Sequence, residues 1–344
     1  FEKEEISIPS TIDGHKVVAV EGLSTNAQYG DNIKIINIPS TVKTINTNNL
    51  EGRSSLTKIV VDAQNEVYAS YDGALYNKAR TVLYFVPRAI KEVTLASSLK
   101  KIDDSAFRDC RYITRVTIPA AMTKFDNIQG GLFYGCTNLN TINVESGNKR
   151  LFSDNGVLYE HAHLNNGPGI NFFDPDTWEY YNTKSRLIMI PYAKTSLVIR
   201  ADCNYVESYS CYYNSLKQIT VESGNSYVTV YDSVVYMEFG SEWDIQCFPG
   251  GKSEVNLMDG ITSVTGELYG SDALVKIVIP DSVTAIDNYK LRTSPVLRSI
   301  NIPAGVTSIG TGVLENAPNV TATVVKGTYG EEWCKNNNIK YIYG

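Results

Sequence analysis

The sequence is poor in the residues that many enzymes use for proton transfer, redox chemistry and metal binding. It has three histidines in 344 residues, and its six cysteines include no Cys-x-x-Cys pair. Histidine titrates near neutral pH without help from its surroundings, and paired cysteines mark zinc ribbons and thioredoxin-like sites. Glycine-rich phosphate loops, nucleophile elbows and His-Glu-x-x-His helices are also missing. We therefore expect a protein that is not an enzyme and that uses no cofactor.

Nucleic-acid binding and membrane insertion are disfavoured by two further absences. The formal net charge is −6, whereas a nucleic-acid surface needs clustered lysine and arginine. No run of about 18 apolar residues occurs, so the sequence predicts no transmembrane segment. The first residue is Phe1 and not methionine, and we expect an export signal to have been removed.

A repeated pattern of apolar residues is the strongest positive signal in the sequence. Counted from Leu274, apolar residues recur at offsets 3, 5, 9, 12, 17 and 23. Copies that begin at Ile33, Ile90 and Leu297 follow the same template, and the copy from Ile113 follows it less regularly. No single unit has an interior of its own, but stacked units share one. The sequence therefore predicts a single solenoid over residues 1–344.

Each unit has a regular order of strands and turns. Offsets 3 and 5 differ by two residues, so their side chains share one face of a short strand. Proline, which cannot donate to a strand ladder, often follows offset 5, as at Pro39, Pro119, Pro280 and Pro303. Offsets 9 and 12 predict a second short strand. Residues 103–110, "DDSAFRDC", resemble a helical turn with Phe107 buried.

A second type of unit interrupts the array three times. Residues 65–87, residues 148–160 with 185–191, and residues 225–249 share a pattern typical of β-hairpins. Asp72-Gly73 and Asn155-Gly156 are turn dipeptides between apolar runs. We interpret residues 161–183 as an irregular insertion in the second hairpin. Residues 326–344 predict a C-terminal cap, made of a short helix carrying Trp333 and a closing strand.

Several of these segments resemble one known family. "IPAGVTSIG", "SAFRDC", "YDGALYNK" and the closing "WCKNNNIKYI" are similar to the BspA-like leucine-rich repeats of bacterial surface proteins. The resemblance implies a β-rich leucine-rich-repeat solenoid, a right-handed α/β-type coil with short strands, few short helical turns and interspersed β-hairpins. It also implies a cell-surface or secreted protein that serves in binding or adhesion.

The candidate binding residues are aromatic and lie around the insertion. Aromatic side chains are enriched in the parts of interfaces that contribute most to affinity, although a long insertion also needs a small core of its own. The candidates are Phe172, Phe173, Trp178, Tyr180, Tyr181, Tyr192, Tyr209 and Tyr212. The partner is expected to be a protein or glycan macromolecule. Two alternatives stay open, a structural spacer that displays another domain and a carbohydrate-binding surface component.

The cysteines are expected to be buried core residues. Cys110 and Cys136 occupy corresponding places in successive units, where stacking brings them together, and we favour buried thiols there over a disulfide. Cys203 and Cys211 replace apolar template residues and are also assigned to the core.

The sequence predicts no metal site, although one stretch of it contains several possible metal ligands. His161 and His163 share one face of a strand, and Asp174, Asp176 and Glu179 follow in the insertion. Three or four convergent ligands are needed, and the spacing places only the histidine pair.

Offset 4 points away from the core and carries mostly uncharged polar residues. They are Asn37, Thr94, Thr117, Asn143, Thr220, Asn256, Val278 and Asn301. This row gives solubility and β-propensity, or else a flat hydrogen-bonding platform for an extended partner.

Ile302 tests the template, because it occupies offset 5 of a regular copy. Ile302→Ala is expected to lower the free energy of unfolding by about 2–5 kcal/mol, since it removes stacked core atoms. Asn301→Ala, on the opposite face, is expected to be nearly neutral. In a urea titration, a change for Ile302→Ala within about 0.5 kcal/mol would contradict the template.

Overall fold

The strands of this chain are short, and most of them pair with the equivalent strand one unit away. Residues 4–21, 32–50, 52–123, 132–163, 180–211, 214–265, 272–289, 291 and 295–344 are described by a computed structural model. The chain divides into two units, Phe1–Leu158 and Tyr159–Gly344. Stacked coils of parallel strands build both units, so the predicted solenoid fold class is confirmed. The predicted organisation, a single solenoid over residues 1–344 with an insertion at 161–183 and a cap at 326–344, stays a prediction.

The first unit is built by parallel pairing between strands of neighbouring coils. Its strands are β1 (Glu5–Ser7), β2 (Thr11–Ile12), β3 (His15–Lys16), β4 (Ala19–Val20), β5 (Ile35–Ile38), β6 (Thr44–Ile45), β7 (Lys58–Val61), β8 (Tyr68–Tyr71), β9 (Ala74–Asn77), β10 (Val82–Phe85), β11 (Glu92–Thr94), β12 (Lys101–Ile102), β13 (Arg115–Ile118), β14 (Thr141–Val144) and β15 (Leu151–Asp154). Strands β1, β5 and β7 form one parallel sheet, and β11, β13 and β14 form another. The second strands of two coils, β4 and β6, also pair in parallel.

The second unit repeats this arrangement and ends in a helix and a strand. The strands from residue 157 onward are β16 (Val157–His163), β17 (Tyr180–Met189), β18 (Ser196–Ile199), β19 (Cys203–Val206), β20 (Gln218–Val221), β21 (Val228–Tyr231), β22 (Val234–Phe239), β23 (Glu242–Cys247), β24 (Glu254–Asn256), β25 (Ser263–Val264), β26 (Lys276–Val278), β27 (Ala285–Ile286), β28 (Ser299–Ile302), β29 (Ser308–Ile309), β30 (Thr321–Val324) and β31 (Lys340–Tyr343). Strands β24, β26, β28, β30 and β31 form one parallel sheet, and β25, β27 and β29 form a second.

Helical structure is sparse in the described residues. Helix α1 (Tyr329–Asn336) carries the buried Trp333, and short 3-10 helices span Thr47–Leu50 and Ser208–Cys211. The helix and strand predicted after residue 326 are therefore present. The expected helical turn at residues 103–110 is a run of turns, in which Phe107 is fully buried as predicted. No helix in the described part of the chain has the length and apolarity to cross a bilayer.

The core consists of template residues that lie over one another. Ile277 and Ile300 are direct partners in the pairing of β26 with β28, and both are buried. Ile302 is 2% exposed, as its template position predicts. The strands end where the prolines begin, since Pro39 directly follows β5 and Pro303 directly follows β28. Each coil therefore supplies the surface that the next coil covers.

The predicted hairpins are present. The first and third are antiparallel meanders of three strands, and β15, β16 and β17 of the second are neighbours in one sheet. Strands β8, β9 and β10 form one such meander, and β21, β22 and β23 form the other. Asp72 and Gly73 have φ angles of 47° and 81°, and Asp232 and Ser233 have 48° and 66°. Consecutive positive φ angles are typical of type I′ turns, whose twist matches that of the strands they join.

Each hairpin begins at an asparagine whose side chain links it to the preceding coil. The Nδ2 of Asn65 donates to the carbonyl oxygens of Pro39 and Val42, both at 2.9 Å. Its Oδ1 accepts from the backbone N–H groups of Val67 and Tyr68 at 2.9 and 2.8 Å. Asn148 and Asn225 make the same four kinds of contact in the other two hairpins. Sequence patterning did not reveal these bonds. We call the three residues the linking asparagines.

The structure also corrects the expectation for Asn301. Its Nδ2 donates to the carbonyl oxygen of Ile279, and its Oδ1 accepts from the Ile279 N–H, both at 2.7 Å. These bonds continue the link between coils beyond the last described pair of the β26–β28 ladder, Ile277 with Ile300. Asn301→Ala should therefore cost about 1–2 kcal/mol and not be neutral, because two backbone groups lose their partner.

Asn65 is the linking asparagine that can be tested most sharply, because it is fully buried. Asn65→Ala is expected to lower the free energy of unfolding by about 2–4 kcal/mol, since four hydrogen bonds are lost and their backbone partners stay buried. Asn138→Ala is the control, because that exposed side chain makes one bond, to the carbonyl oxygen of Arg111 at 2.7 Å. Urea denaturation measures both variants, and equal losses would show that the linking bonds are not important.

Candidate functional site

Only some of the aromatic residues that were predicted to bind a partner are among the described residues. Phe172, Phe173, Trp178 and Tyr212 lie outside the described residues. Tyr180 and Tyr181 lie in β17, but their side chains are not described. Tyr192 and Tyr209 are half-buried. The predicted site therefore stays a prediction. The structure describes mainly the strands and the 3-10 helix next to the insertion. We define the insertion root as β16, β17, β19 and the 3-10 helix Ser208–Cys211.

The insertion root contains an arginine between two buried carboxylates. Arg186 of β17 lies 3.6 Å from Glu160 of β16, measured from its Nη1 to Oε2. Its Nη2 forms a second ion pair with Glu207, which follows β19. The side chains of Arg186, Glu160 and Glu207 are 14%, 8% and 6% exposed. The three residues, which we call the acid–arginine cluster, join the strands on both sides of the insertion to the next coil.

A second charged group lies at the same root. The Nε of Arg200 is 2.8 Å from Asp202 Oδ1, and Ser185 donates to the same carboxylate at 3.0 Å. Burial opposes ionisation of Asp202, but the hydrogen bonds from Arg200 and Ser185 hold its pKa below the usual value. Asp202 is therefore a carboxylate at neutral pH and fixes β17 beside β19.

Aromatic rings surround both charged groups. The Arg186 guanidinium lies 5.6 Å from the ring centre of Tyr205, and Arg200 lies 6.0 Å from that of Tyr159. Tyr209 hydrogen-bonds with Arg186, and burial raises the pKa of its phenol. Burial also lowers the pKa of His161, which favours a neutral imidazole. Part of the aromatic enrichment seen in the sequence therefore packs around buried charge.

One tyrosine near the root is open to solvent. Tyr227 is 40% exposed and accepts a hydrogen bond from Lys184 of β17. The Lys184 ammonium also lies 3.8 Å from the centre of the Tyr227 ring. The hydrogen bond from Lys184 lowers the pKa of the Tyr227 phenol. This pair presents a cation and a hydroxyl to solvent beside the start of β17.

Cys211 lies in the core as predicted, but it is bonded to another cysteine and is not a free thiol. Cys211 is buried, but it forms a disulfide with Cys247 of β23, across 36 residues. The bond ties the end of the 3-10 helix that carries Tyr209 to the third hairpin. Spacing gave no signal for it, because the two cysteines come from different kinds of unit. Cys110, Cys136 and Cys203 are free and buried, as predicted.

Metal ligands do not converge in the described residues. These residues contain no group of three histidine, cysteine, aspartate or glutamate side chains that could hold an ion. His161 lies in β16, and the side chain of His163 is not described. Asp174, Asp176 and Glu179 lie outside the described residues.

Comparison with known families gives one match over most of the chain. The family model described as the BspA type leucine-rich repeat region matches six copies, over residues 5–82, 85–156 and 246–342. The span between the last two matches, residues 157–245, contains the insertion root and Cys211, whereas Cys247 lies at the start of the third match. No curated protein matches the sequence.

Solved structures give further similarities at low identity. A leucine-rich repeat protein from Eubacterium ventriosum is 17% identical with a TM-score of 0.37, and the match covers 91% of this chain and 64% of that one. A leucine rich cell surface protein from Faecalibacterium prausnitzii is 17% identical with a TM-score of 0.43, covering 99% and 92%. The pneumococcal vaccine antigen PcpA is 14% identical with a TM-score of 0.38, covering 99% and 79%. The chain thus spans less than two thirds of the Eubacterium ventriosum protein.

Arg186 is the residue on which the acid–arginine cluster depends. Arg186→Met is expected to lower the free energy of unfolding by about 3–5 kcal/mol, because it leaves two buried carboxylates without their cation. Lys276→Met is the matched control, since Lys276 pairs with Glu254 at 3.6 Å between side chains that are 46% and 64% exposed. The control should change stability by less than about 1 kcal/mol. Similar urea midpoints for the two variants would contradict a structural role for the cluster.

Proposed function

We propose that this chain, which belongs to the BspA-type leucine-rich repeat family, is a non-catalytic bacterial surface or secreted protein that binds a macromolecular partner. The binding surface is the insertion root together with the insertion, residues 161–183. Recognition then rests on contact between surfaces and involves no covalent chemistry. The partner is a protein or a glycan.

The acid–arginine cluster is the observation that carries this proposal. A hydrophobic repeat needs no buried charge, and removing an arginine and two carboxylates from water costs free energy that apolar residues would not cost. The cluster lies at the insertion root, where β16 and β17 flank the insertion in the sequence. The cluster fixes β16 and β17 relative to β19, so the two strands that flank the insertion have defined positions. A preorganised segment loses less conformational entropy when it binds.

The composition of the root supports a role in recognition. Tyrosine offers a flat apolar ring with a polar end, which suits contact with proteins and with sugars. Tyr192 and Tyr209 are half-buried at this surface. The exposed Lys184–Tyr227 pair adds a cation at the same surface.

The disulfide supports the exported location. Disulfides persist in oxidising environments and are rare in a reducing cytosol. Cys211 and Cys247 form such a bond at buried positions. An exported protein retains this bond, which would keep the 3-10 helix of the root in place.

Replacing residues 164–179 with an Asn-Gly turn tests the proposal. The turn copies Asn155-Gly156, which joins β15 to β16, and leaves β16, β17 and the acid–arginine cluster intact. The wild-type protein and the variant would be applied to an array of glycans and to a panel of purified extracellular proteins. We expect binding of the wild type to fall at least tenfold in the variant, or about 1.4 kcal/mol.

The exposed Tyr112 and Tyr134 of the first unit provide the control, and Tyr112→Ala with Tyr134→Ala should bind as the wild type does. Unchanged urea midpoints would show that all variants are folded. Full binding by the turn variant would place the site elsewhere. Binding confined to the glycan array favours the carbohydrate alternative, and no binding on either panel favours a structural spacer.

A further inference from the structure

The three hairpins are copies of one scaffold, which makes the differences between them informative. Each begins at a linking asparagine that contacts the preceding coil in the same way. The buried hydroxyls of Tyr76 and Tyr236, at equivalent positions of the first and third hairpins, each accept from a backbone N–H of the following coil. The scaffold fixes these inward residues. It leaves the outward side chains of the first hairpin strand free to differ.

The outward side chains of the third hairpin are two tyrosines and a threonine. Tyr227, which directly precedes β21, and Thr229 and Tyr231 within it alternate with the buried Val228, so the three side chains share the outer face. Tyr227 and Tyr231 are 40% and 47% exposed. We call Tyr227, Thr229 and Tyr231 the tyrosine row. Counted from the linking asparagines, the equivalent positions of the other two hairpins hold Val67, Ala69 and Tyr71, and Arg150, Phe152 and Asp154.

The first hairpin shows that a tyrosine at the last of these positions can be covered. Tyr71 is half-buried, and its ring packs edge-on against Tyr76 with the ring centres 6.4 Å apart. The Arg80 guanidinium lies 5.2 Å from the centre of the Tyr71 ring. The equivalent Tyr231 leaves nearly half of its surface to solvent. Together with Tyr227 it offers flat apolar area with polar ends.

A cation lies at one end of the tyrosine row. Lys184 of β17 donates to the hydroxyl of Tyr227, and its ammonium lies 3.8 Å from the ring centre. Lys184 directly follows the insertion in the sequence, so this contact joins the tyrosine row to the insertion root. Because the formal net charge of the chain is −6, the protein as a whole repels anions. Attraction for an anion at this surface must therefore come from a local cation, which Lys184 supplies.

An oligosaccharide with acidic groups matches this arrangement. Phenol rings pack against the C–H faces of sugar rings, and the three hydroxyls of the row can exchange hydrogen bonds with sugar hydroxyls. Tyr231 lies four positions after Tyr227, which is about 13 Å along a strand, so a ligand that contacts both rings contains more than one sugar. The Tyr227 hydroxyl accepts from Lys184 and keeps its own proton, so the two groups can donate together to one carboxylate.

We propose that the tyrosine row and Lys184 bind an oligosaccharide that carries carboxylate groups, as uronic and sialic acids do. The inference deepens the proposed function and rests on it, because it assigns a partner class to the surface beside the insertion root. An acidic peptide is the competing ligand. Peptides gain affinity mainly by filling pockets or by adding a strand to a sheet edge, whereas the row offers open rings and hydroxyls.

Defined ligands test the class of the partner. The protein would be titrated by calorimetry with tetragalacturonate, with sialyllactose, with the methyl ester of each, which removes the charge, and with a polyglutamate peptide. We expect binding to at least one of the two acidic sugars, weaker binding as salt is raised, and at least about tenfold weaker binding of its ester. Failure to bind either acidic sugar, or tighter binding of polyglutamate than of both, would overturn the proposal.

Two variants assign the binding to the row. Lys184→Gln should weaken binding of the acidic sugar at least about tenfold and leave binding of the ester unchanged, whereas Tyr227→Val, which copies Val67, should weaken both. The exposed Lys326 and Val67 provide the controls, and Lys326→Gln and Val67→Ala should bind as the wild type does. Urea midpoints identify the folded variants, and Lys184→Gln decides alone if Tyr227→Val is unstable. Equal affinities of Lys184→Gln and Lys326→Gln would refute the site.

Failure of this inference can be told from failure of the proposed function. Binding to the protein panel without binding to either acidic sugar would refute the acidic glycan and leave the function of the insertion root in place. Binding of the acidic sugar that survives in the turn variant and is lost in Lys184→Gln would support the tyrosine row and show that the insertion is not needed. No binding to any panel or sugar would refute both.

Discussion

The fold depends on one constraint, which is that every coil needs the next coil to bury its apolar face. A coil with two strands of two to four residues has no inside, and the pairing of Ile277 with Ile300 shows how stacking creates one. Such a core tolerates no slip between coils, because a shift by one residue turns each strand inside out. A shift by two residues keeps the same face inward, however, and apolar contacts oppose it only weakly, since leucine, isoleucine and valine repeat at nearly every core position.

Hydrogen bonds from buried polar side chains supply the missing specificity. The linking asparagines each join the start of a hairpin to two carbonyl groups of the preceding coil, and a shift between the coils would break both of these bonds. Buried tyrosines do the same further along, since the hydroxyl groups of Tyr76 and Tyr236 accept from the N–H groups of Ala96 and Met258 at 3.4 and 2.9 Å. Apolar stacking therefore stabilises the coils, while these polar contacts decide which groups face each other.

The sequence predicts the parts of this structure that depend on local pattern. Residues at offsets 3 and 5, the prolines that end strands, and the Asp-Gly turn of the first hairpin each act over a few positions, and all are found where expected. Asn65 could not be identified in this way, because an asparagine in a turn is common and its carbonyl partners lie 23 and 26 residues earlier. The Cys211–Cys247 bond and the contacts of Arg186 are missed for the same reason. They join residues that only the stacked coils bring together. The composition around the insertion indicated aromatic residues there, but it did not indicate the buried charges of the acid–arginine cluster.

Charge inside the stack follows a single rule in both units. Arg88 donates to the carbonyl oxygen of Ala106 on the following coil, and Arg186 reaches Glu207 after the neighbouring strand β19. In each case the cation and its partner come from different segments of the stack, so the charge gains this partner only once the coils have stacked. A buried ion pair built in this way adds little net stability, but removal of one partner leaves the other uncompensated. Charge therefore makes correct stacking a condition for burial, and in the second unit it does so at the insertion root, where we propose that this chain binds its partner.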